Sequence, residues 1–117
     1  MEKIRHIIYY KHYFDEFFNQ QTEKVKAKID EVLFLISIVN RVPKKFLVHM
    51  TGTDGLYEIR IELGSNIYRL FCCFDEGRVV VLFNGFQKKT QKTPKSEIEK
   101  AEKLKTEYFK QKKIDRK

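Results

Sequence analysis

The sequence predicts an α+β domain in which two N-terminal helices and a C-terminal helix pack against a small antiparallel sheet. Residues 57–63 alternate apolar and polar side chains, as a strand with one covered face does, and two further β-rich segments follow across short turns. Apolar residues at three- and four-residue spacing flank this block and indicate helices on both sides of it. The predicted order of elements is β-α-α-β-β-β-α.

The N-terminal third supplies one predicted strand and two predicted helices. Residues 4–10 (IRHIIYY) are rich in β-branched and aromatic types, which favours a strand. A short helix is indicated by aromatic residues at helical spacing: Tyr13, Phe14, Phe17 and Phe18. A longer helix is expected from Thr22 to Asn40, since it has an apolar stripe and Pro43 follows it.

The remainder predicts three strands joined by turns and then one helix. After 57–63, Gly64-Ser65-Asn66 turns the chain into 67–74, and Asp75-Glu76-Gly77 turns it into 78–83. Thr93 is expected to cap the last helix, with Pro94 in its first position. We expect one domain over residues 1–112 and a frayed basic tail over 113–117.

The positive charge is concentrated at the C-terminal end. The chain has 24 Lys and Arg against 16 Asp and Glu, a formal net charge of +8. Residues 88–117 alone hold twelve basic and five acidic residues. This asymmetry favours a polyanionic partner such as a nucleic acid, and the alternative is a solvated lysine-rich helix.

Cysteine usage and the start of the chain predict a cytoplasmic protein. Cys72 and Cys73 are adjacent in a predicted strand, so their side chains point to opposite faces and form neither a disulfide nor a metal site. The N-terminal segment MEKIRHIIYYKHYF mixes charges into its apolar residues, unlike a signal peptide, and no apolar run is long enough to span a membrane. We expect no cofactor, no metal and no membrane partner.

Candidate chemistry lies with cations on and after the predicted sheet, because common nucleotide-binding and hydrolase motifs are absent. Arg69 interrupts a strand that is otherwise apolar on both faces. Its guanidinium either pairs with an internal acid or reaches a groove at the sheet surface. Arg60 lies between Glu58 and Glu62 on the polar face of the preceding strand, where a cross-strand ion pair is the simple alternative to a role at a site.

Further candidates surround this region. Lys88 and Lys89 follow the last predicted strand in a segment rich in lysine, hydroxyl and amide side chains, which suits phosphate oxygens but is also compatible with an ordinary basic loop. His49 precedes the turn that enters the polar strand and is either structural or catalytic. RNA contacts are expected from Lys92, from Lys45 in the loop after the second helix, and from base stacking on the rings of Tyr57 and Tyr68, although strand tyrosines also lie at core edges.

Three stretches resemble the HigB-like branch of the RelE/ParE toxin superfamily: residues 55–60 (GLYEIR), 66–71 (NIYRLF) and 84–94 (NGFQKKTQKTP). The resemblance covers nearly the whole chain in the same order of elements, and the block from Gly52 to Pro94 is its specific part. It implies a RelE-like fold with a small antiparallel sheet and two N-terminal helices packed on it.

The resemblance also implies roles for individual residues. Arg69 is similar to the sheet arginine that RelE-like toxins use at the scissile phosphate, and Arg60 to basic residues on the preceding strand. Lys88 and Lys89 match the region where RelE places a catalytic arginine, and His49 lies where some HigB toxins carry a functional histidine. The general base stays open between a lysine, His49 and Glu58, because Glu58 replaces a RelE lysine and the C-terminal catalytic tyrosine of RelE has no equivalent here.

The function implied by the resemblance is that of a type II toxin. The resemblance implies a ribosome-dependent mRNA endoribonuclease, which cuts by metal-independent attack of the 2′-OH on the adjacent phosphorus. Its cognate partner is a HigA-like helix-turn-helix antitoxin. Two alternatives share the fold: a ParE-like inhibitor of DNA gyrase without ribonuclease activity, and an inactive phage-derived relic that binds only its antitoxin.

Overall fold

A computed structural model describes residues 2–116 and contains eight elements of secondary structure. Their order agrees with the predicted order except for one additional short strand, residues 47–49, before the strand predicted over residues 57–63. The elements are β1 (His6–Tyr9), α1 (Tyr13–Asn19), α2 (Glu23–Ile38), β2 (Leu47–His49), β3 (Tyr57–Leu63), β4 (Asn66–Asp75), β5 (Val79–Lys88) and α3 (Lys95–Asp115). Over the described residues, no helix is both long and apolar enough to cross a membrane.

The strands form one five-stranded sheet in the order β1-β5-β4-β3-β2. The pairs β2–β3, β3–β4 and β4–β5 are antiparallel, as the short turns between the last strands predict. β1 pairs with β5 in parallel, so the sheet is mixed, and the predicted antiparallel arrangement holds for the other strand pairs but not at this edge. Two helices and three strands separate β1 from β5 in sequence, and local turn signals say nothing about such a distant pairing.

β5 is longer than the sequence predicts. It continues through Asn84 and Gly85, which are typical turn residues, to Lys88. The β4–β5 register shifts between Leu70 and Cys72, which is a β-bulge. Beyond the bulge the two strands remain paired, from Leu70 opposite Gly85 to Ile67 opposite Lys88. Lys88 therefore lies at the end of a strand and not in a loop.

Both faces of the sheet are covered. On one face, α1 and α2 pack over alternate strand residues such as Ile59, Leu70 and Leu82. On the other face, α3 packs over Phe71 and Phe83 and the residues around them. Because β4 is covered on both sides, its sequence shows no polar alternation except at Arg69.

Polar contacts fix both ends of the long helix α2. The Thr22 side chain accepts a hydrogen bond from the Val25 N–H at the start of α2, as the predicted boundary requires. At the other end, the guanidinium of Arg5 donates to the carbonyls of Ile36, Val39 and Asn40. These bonds satisfy the carbonyls that a helix end leaves without partners.

α3 differs from its prediction at both ends. Pro94, and not Thr93, occupies the N-cap position, and no side chain caps the helix. The sequence predicts a frayed tail from residue 113, but the helix continues to Asp115. Its last turn is held because Lys112 pairs with Asp75 and Arg116 pairs with Glu76. Lys117, the last residue of that expected tail, lies outside the described residues.

Candidate nucleic-acid interface

A groove of about 460 Å³ lies where β2, β3 and the end of β5 meet the start of α3. The polar side chains along it are Glu58 and Arg60 from β3, Lys88 from β5, and Gln91, Lys92 and Thr93 from the segment before α3. Val48, Met50 and Ile98 supply apolar contacts. Three cations thus face one carboxylate, which makes the groove a site for anions.

Two arginines lie side by side at the groove: Arg60 lines it, and Arg69 lies behind Arg60 and Glu58. Arg60 and Arg69 are register partners on β3 and β4, a like-charge pair that is unfavourable without a counter-ion. Glu58 supplies the counter-ion: its Oε1 lies 3.0 Å from Arg60 Nε and 3.4 Å from Arg69 Nε. The ion pair of Arg60 is thus within one strand and not across strands as predicted.

Arg69 is buried behind the wall of the groove. Only 6% of the residue is exposed, and its Nη1 donates to the Tyr68 carbonyl. Its Nε lies close to Glu58 but has no hydrogen-bond acceptor in suitable geometry within the described residues. Burial lowers the pKa of Arg69, the charge of Glu58 opposes this change, and Arg60 adds to it. The sequence leaves two alternatives for Arg69, an internal ion pair or a position in a surface groove, and the structure shows the ion pair with Glu58. The two charged neighbours of Arg69, Glu58 and Arg60, do line the groove.

The predicted lysines lie along the same rim. Lys88 is opposite Ile67 at the end of β5, and Lys92 is exposed in the segment before α3. Lys89 borders a shallower depression of about 480 Å³ that shares Lys88 and Gln91 with the groove. A basic strip therefore continues from the groove past the end of β5.

Lys45 lies on the other side of Arg60. It borders a separate depression of about 220 Å³, together with Lys28, Glu62 and Arg60 itself. Its Nζ lies 5.6 Å from the centre of the Phe46 ring. Since Arg60 lines both cavities, Lys45 extends the basic strip in the direction opposite to Lys89.

His49 borders the groove, but its ring is directed elsewhere. In the β2–β3 register it is opposite Tyr57, and side chains directly opposite each other in an antiparallel pair share a face. The two rings are 5.2 Å apart in an edge-on contact. The imidazole of His49 is therefore on the opposite face from Glu58 and Arg60, in an unsuitable position for a base acting beside them.

The two tyrosines are part of the core and not of the groove. Tyr68 is 4% exposed and packs edge-on against Phe17 of α1, so its ring has no free face for a base. Tyr57 packs edge-on against Phe74 on the same side of the sheet. Burial contradicts the stacking prediction for Tyr68. Tyr57 is partly buried at the edge of the core on the face away from Glu58 and Arg60, and a stacking role for it stays a prediction.

A hydrogen-bonded link that the sequence does not predict fixes α3 beside the groove. Asn84 is 2% exposed, and its Nδ2 donates to the carbonyl and to Oε1 of Glu97 in the first turn of α3. An Asn-Gly pair is typical of turns, so only the tertiary structure could show Asn84 as a buried tether. The tether joins the first turn of α3 to β5, and Thr93 and Ile98 beside that turn line the groove.

Comparison with protein families identifies the chain. The profile of the family described as "Phage derived protein Gp49-like (DUF891)" matches residues 16–106. The chain belongs to this family. The match spans α2, the groove and most of α3 of this Gp49-like protein. No curated protein sequence matches it.

The fold of the Gp49-like protein is similar to that of a RelE protein. A chain of the "archaeal RelE-RelB complex from Pyrococcus horikoshii OT3" superposes with a TM-score of 0.52 at 18% sequence identity. The superposition covers 70% of the Gp49-like protein and 92% of the archaeal chain. The predicted RelE-like α+β fold is thereby confirmed.

Proposed function

We propose that this Gp49-like protein is the toxin of a type II toxin–antitoxin pair and acts as a HigB-like, ribosome-dependent mRNA endoribonuclease. The observation that carries the proposal is the groove, where Arg60, Lys88 and Lys92 face Glu58 and Arg69 lies directly behind them. A phosphodiester backbone passing along this strip meets cations at every step from Lys45 to Lys89. The RelE-like fold supports the same activity.

The groove contains groups for each requirement of metal-independent RNA cleavage. In this reaction the 2′-OH attacks the adjacent phosphorus, a 2′,3′-cyclic phosphate forms, and the 5′ oxygen leaves with a proton. Arg60 and Arg69 would stabilise the charge that develops on the phosphoryl oxygens. Glu58 is the candidate base, because it is the carboxylate that lines the groove, and Lys88 is the candidate acid. Lys89 and His49 are placed less directly for proton transfer.

A protein antitoxin is part of the proposal. The archaeal neighbour is a RelE-RelB complex, which supports an antitoxin partner for this chain. We propose that the partner is HigA-like, a helix-turn-helix protein encoded beside the toxin. The protein needs no cofactor in this scheme, and its site of action is cytoplasmic mRNA on the ribosome.

Induced expression in a bacterium, followed by primer extension on abundant mRNAs, tests the activity. We expect growth arrest and codon-phased cuts with the wild type. Lys88→Gln and Arg60→Gln should each reduce cleavage by about 100-fold, because each removes a charge from the site of phosphoryl transfer. Lys103→Gln is the matched control, since Lys103 is an exposed lysine of α3 that lies outside the groove.

The outcomes separate the proposal from its alternatives. Cuts that disappear in the groove variants and persist in Lys103→Gln support the ribonuclease. Growth arrest without cuts, together with inhibited supercoiling by purified gyrase, would point to a ParE-like toxin instead. Absence of arrest from a folded protein would leave only the antitoxin-binding relic.

A further inference from the structure

β1 forms an open edge of the sheet, and none of its residues lines the groove. β1 is the first strand in the sheet order and pairs only with β5 within the described residues. The N–H groups of His6 and Tyr10 donate to the carbonyls of Arg78 and Leu82 in the parallel ladder. Because alternate residues of a strand bond to the same neighbour, the N–H and C=O groups of Ile7 and Tyr9 point away from the sheet.

The surface beside this edge is apolar. The large hydrophobic side chains exposed among the described residues are Ile8 at 38%, Tyr9 at 51%, Phe34 at 52% and Ile114 at 58%. The first three lie on β1 or face it from α2. Tyr9, Leu33 and Phe34 line a depression of about 310 Å³ between the strand and the helix. Ile8 points to the opposite face, so a strand added here would find apolar contacts on both of its faces.

The same surface is positively charged. Lys3, Arg5 and His6 line the depression, and Asp30 is the one acidic residue among its lining residues. The guanidinium of Arg5 donates only to backbone carbonyls, and neither Lys3 nor Arg5 has an acidic partner among the ion pairs of residues 2–116. Lys3 and Arg5 thus outnumber the one carboxylate, Asp30, although the carbonyls at the C-terminal end of α2 offset part of the charge of Arg5.

We propose that the β1 edge binds an extended acidic segment of a partner protein as a sixth strand. Its backbone would bond to Ile7 and Tyr9, an apolar side chain would enter the depression beside Phe34, and its carboxylates would meet Lys3 and Arg5. This surface is separate from the groove, so the inference does not depend on RNA cleavage. Identifying the segment as part of the antitoxin does rest on the proposed function.

Charge decides against a second copy of this chain as the occupant. Antiparallel pairing of two β1 strands would bring Lys3 and Arg5 of one copy near Lys11 of the other. Each copy also carries a formal net charge of +8. Like charges placed directly opposite each other destabilise a strand pair, whereas an acidic segment gains from the same arrangement.

Selection from a displayed library of random 12-residue peptides tests the proposal on the full chain. We expect enriched peptides that alternate apolar and acidic residues. Phe34→Glu should weaken their binding at least about tenfold, since it removes the apolar contact and adds a repelling charge. Ile114→Glu is the matched control, because Ile114 is a similarly exposed apolar residue on α3, and it should bind like the wild type.

Hydrogen exchange locates the bound peptide. The amide hydrogens of Ile7 and Tyr9 should exchange more slowly in the complex, because they become bonded to the added strand. Circular dichroism checks that Phe34→Glu is folded. The proposal is overturned if the enriched peptides bind Phe34→Glu and the wild type equally, or if the two amides are unaffected. Concentration-dependent dimerisation that Phe34→Glu abolishes would also overturn it, in favour of a second copy.

Discussion

Glu58 determines the electrostatics of the groove at the scale of single residues. It is 5% exposed, and its Oε1 is the nearest anion to two adjacent arginines. Without it, the buried guanidinium of Arg69 would lie beside Arg60 with only the exposed and more distant Glu62 to oppose the two positive charges. Glu58 therefore stabilises the folded protein, and it is also the residue that we propose as the base of the reaction.

Glu58→Gln should destabilise the protein, because it leaves Arg69 buried without a counter-ion. We expect the free energy of unfolding to fall by about 3 kcal/mol, as when one partner of a buried ion pair is removed. Urea denaturation of the purified protein measures this change. Glu62→Gln is the control, because Glu62 lies four residues after Glu58 on the same face of β3 and is exposed. Equal stability of the two variants would contradict the role assigned to Glu58.

At the scale of elements, polar contacts attach both ends of α3 to the sheet, and the apolar contact between them is narrow. The helix fully buries only Ala101 and Leu104. Asn84 fixes its first turn, and at its C-terminal end Tyr108 and Lys112 donate to Asp75 Oδ2 over 2.7 and 2.6 Å. Burial and the bond to Asp75 raise the pKa of Tyr108 to about 12. The position of the helix, and with it one wall of the groove, thus depends on few contacts.

The contacts of Asp75 predict an acid-sensitive part of the stability. Although burial opposes the change, the hydrogen bonds from Lys112 and Tyr108 lower the pKa of Asp75. A carboxylate with a lowered pKa stabilises the fold fully above its unfolded pKa, about 4, and loses this contribution as the pH falls through the folded pKa. We expect Asp75→Asn to lower the free energy of unfolding by about 2 kcal/mol at pH 7.

Denaturation of wild type and Asp75→Asn from pH 7 to pH 3 measures this dependence. The difference in the free energy of unfolding should be constant above about pH 5 and narrow below about pH 4. Asp54→Asn is a suitable control, since Asp54 is an exposed turn residue without an ion pair among residues 2–116. A difference that is the same at pH 3 and pH 7 would show that the charge of Asp75 is not what stabilises α3.

At the scale of the whole molecule, the two surfaces that we propose to be functional lie on different parts of one sheet. The groove is built from β2, β3 and the end of β5, whereas β1 forms the other edge. A partner bound along β1 would leave the groove lysines accessible. The two proposals can therefore be tested separately on the same folded chain.

The sequence predicts the parts of this arrangement that depend on local pattern. Alternation along β3 shows that Glu58 and Arg60 share a face, and helical spacing gives α1 and α2 close to their observed bounds. It could not assign Tyr68 to a face, because β4 is apolar on both sides. It also could not show the parallel β1–β5 pair or the Asn84–Glu97 tether, since both depend on contacts between distant segments.

The most direct test of the account is cleavage by the purified protein on reconstituted ribosomes. The substrate is an mRNA whose cut site is known from primer extension, made once with ribose throughout and once with a single 2′-deoxy nucleotide before the scissile phosphate. The account predicts cleavage of the first mRNA, with a 2′,3′-cyclic phosphate end, and no cleavage of the second, because its nucleophile is missing. Equal cleavage of both would contradict 2′-OH attack, and cleavage of neither by a folded protein would contradict ribonuclease activity in the groove.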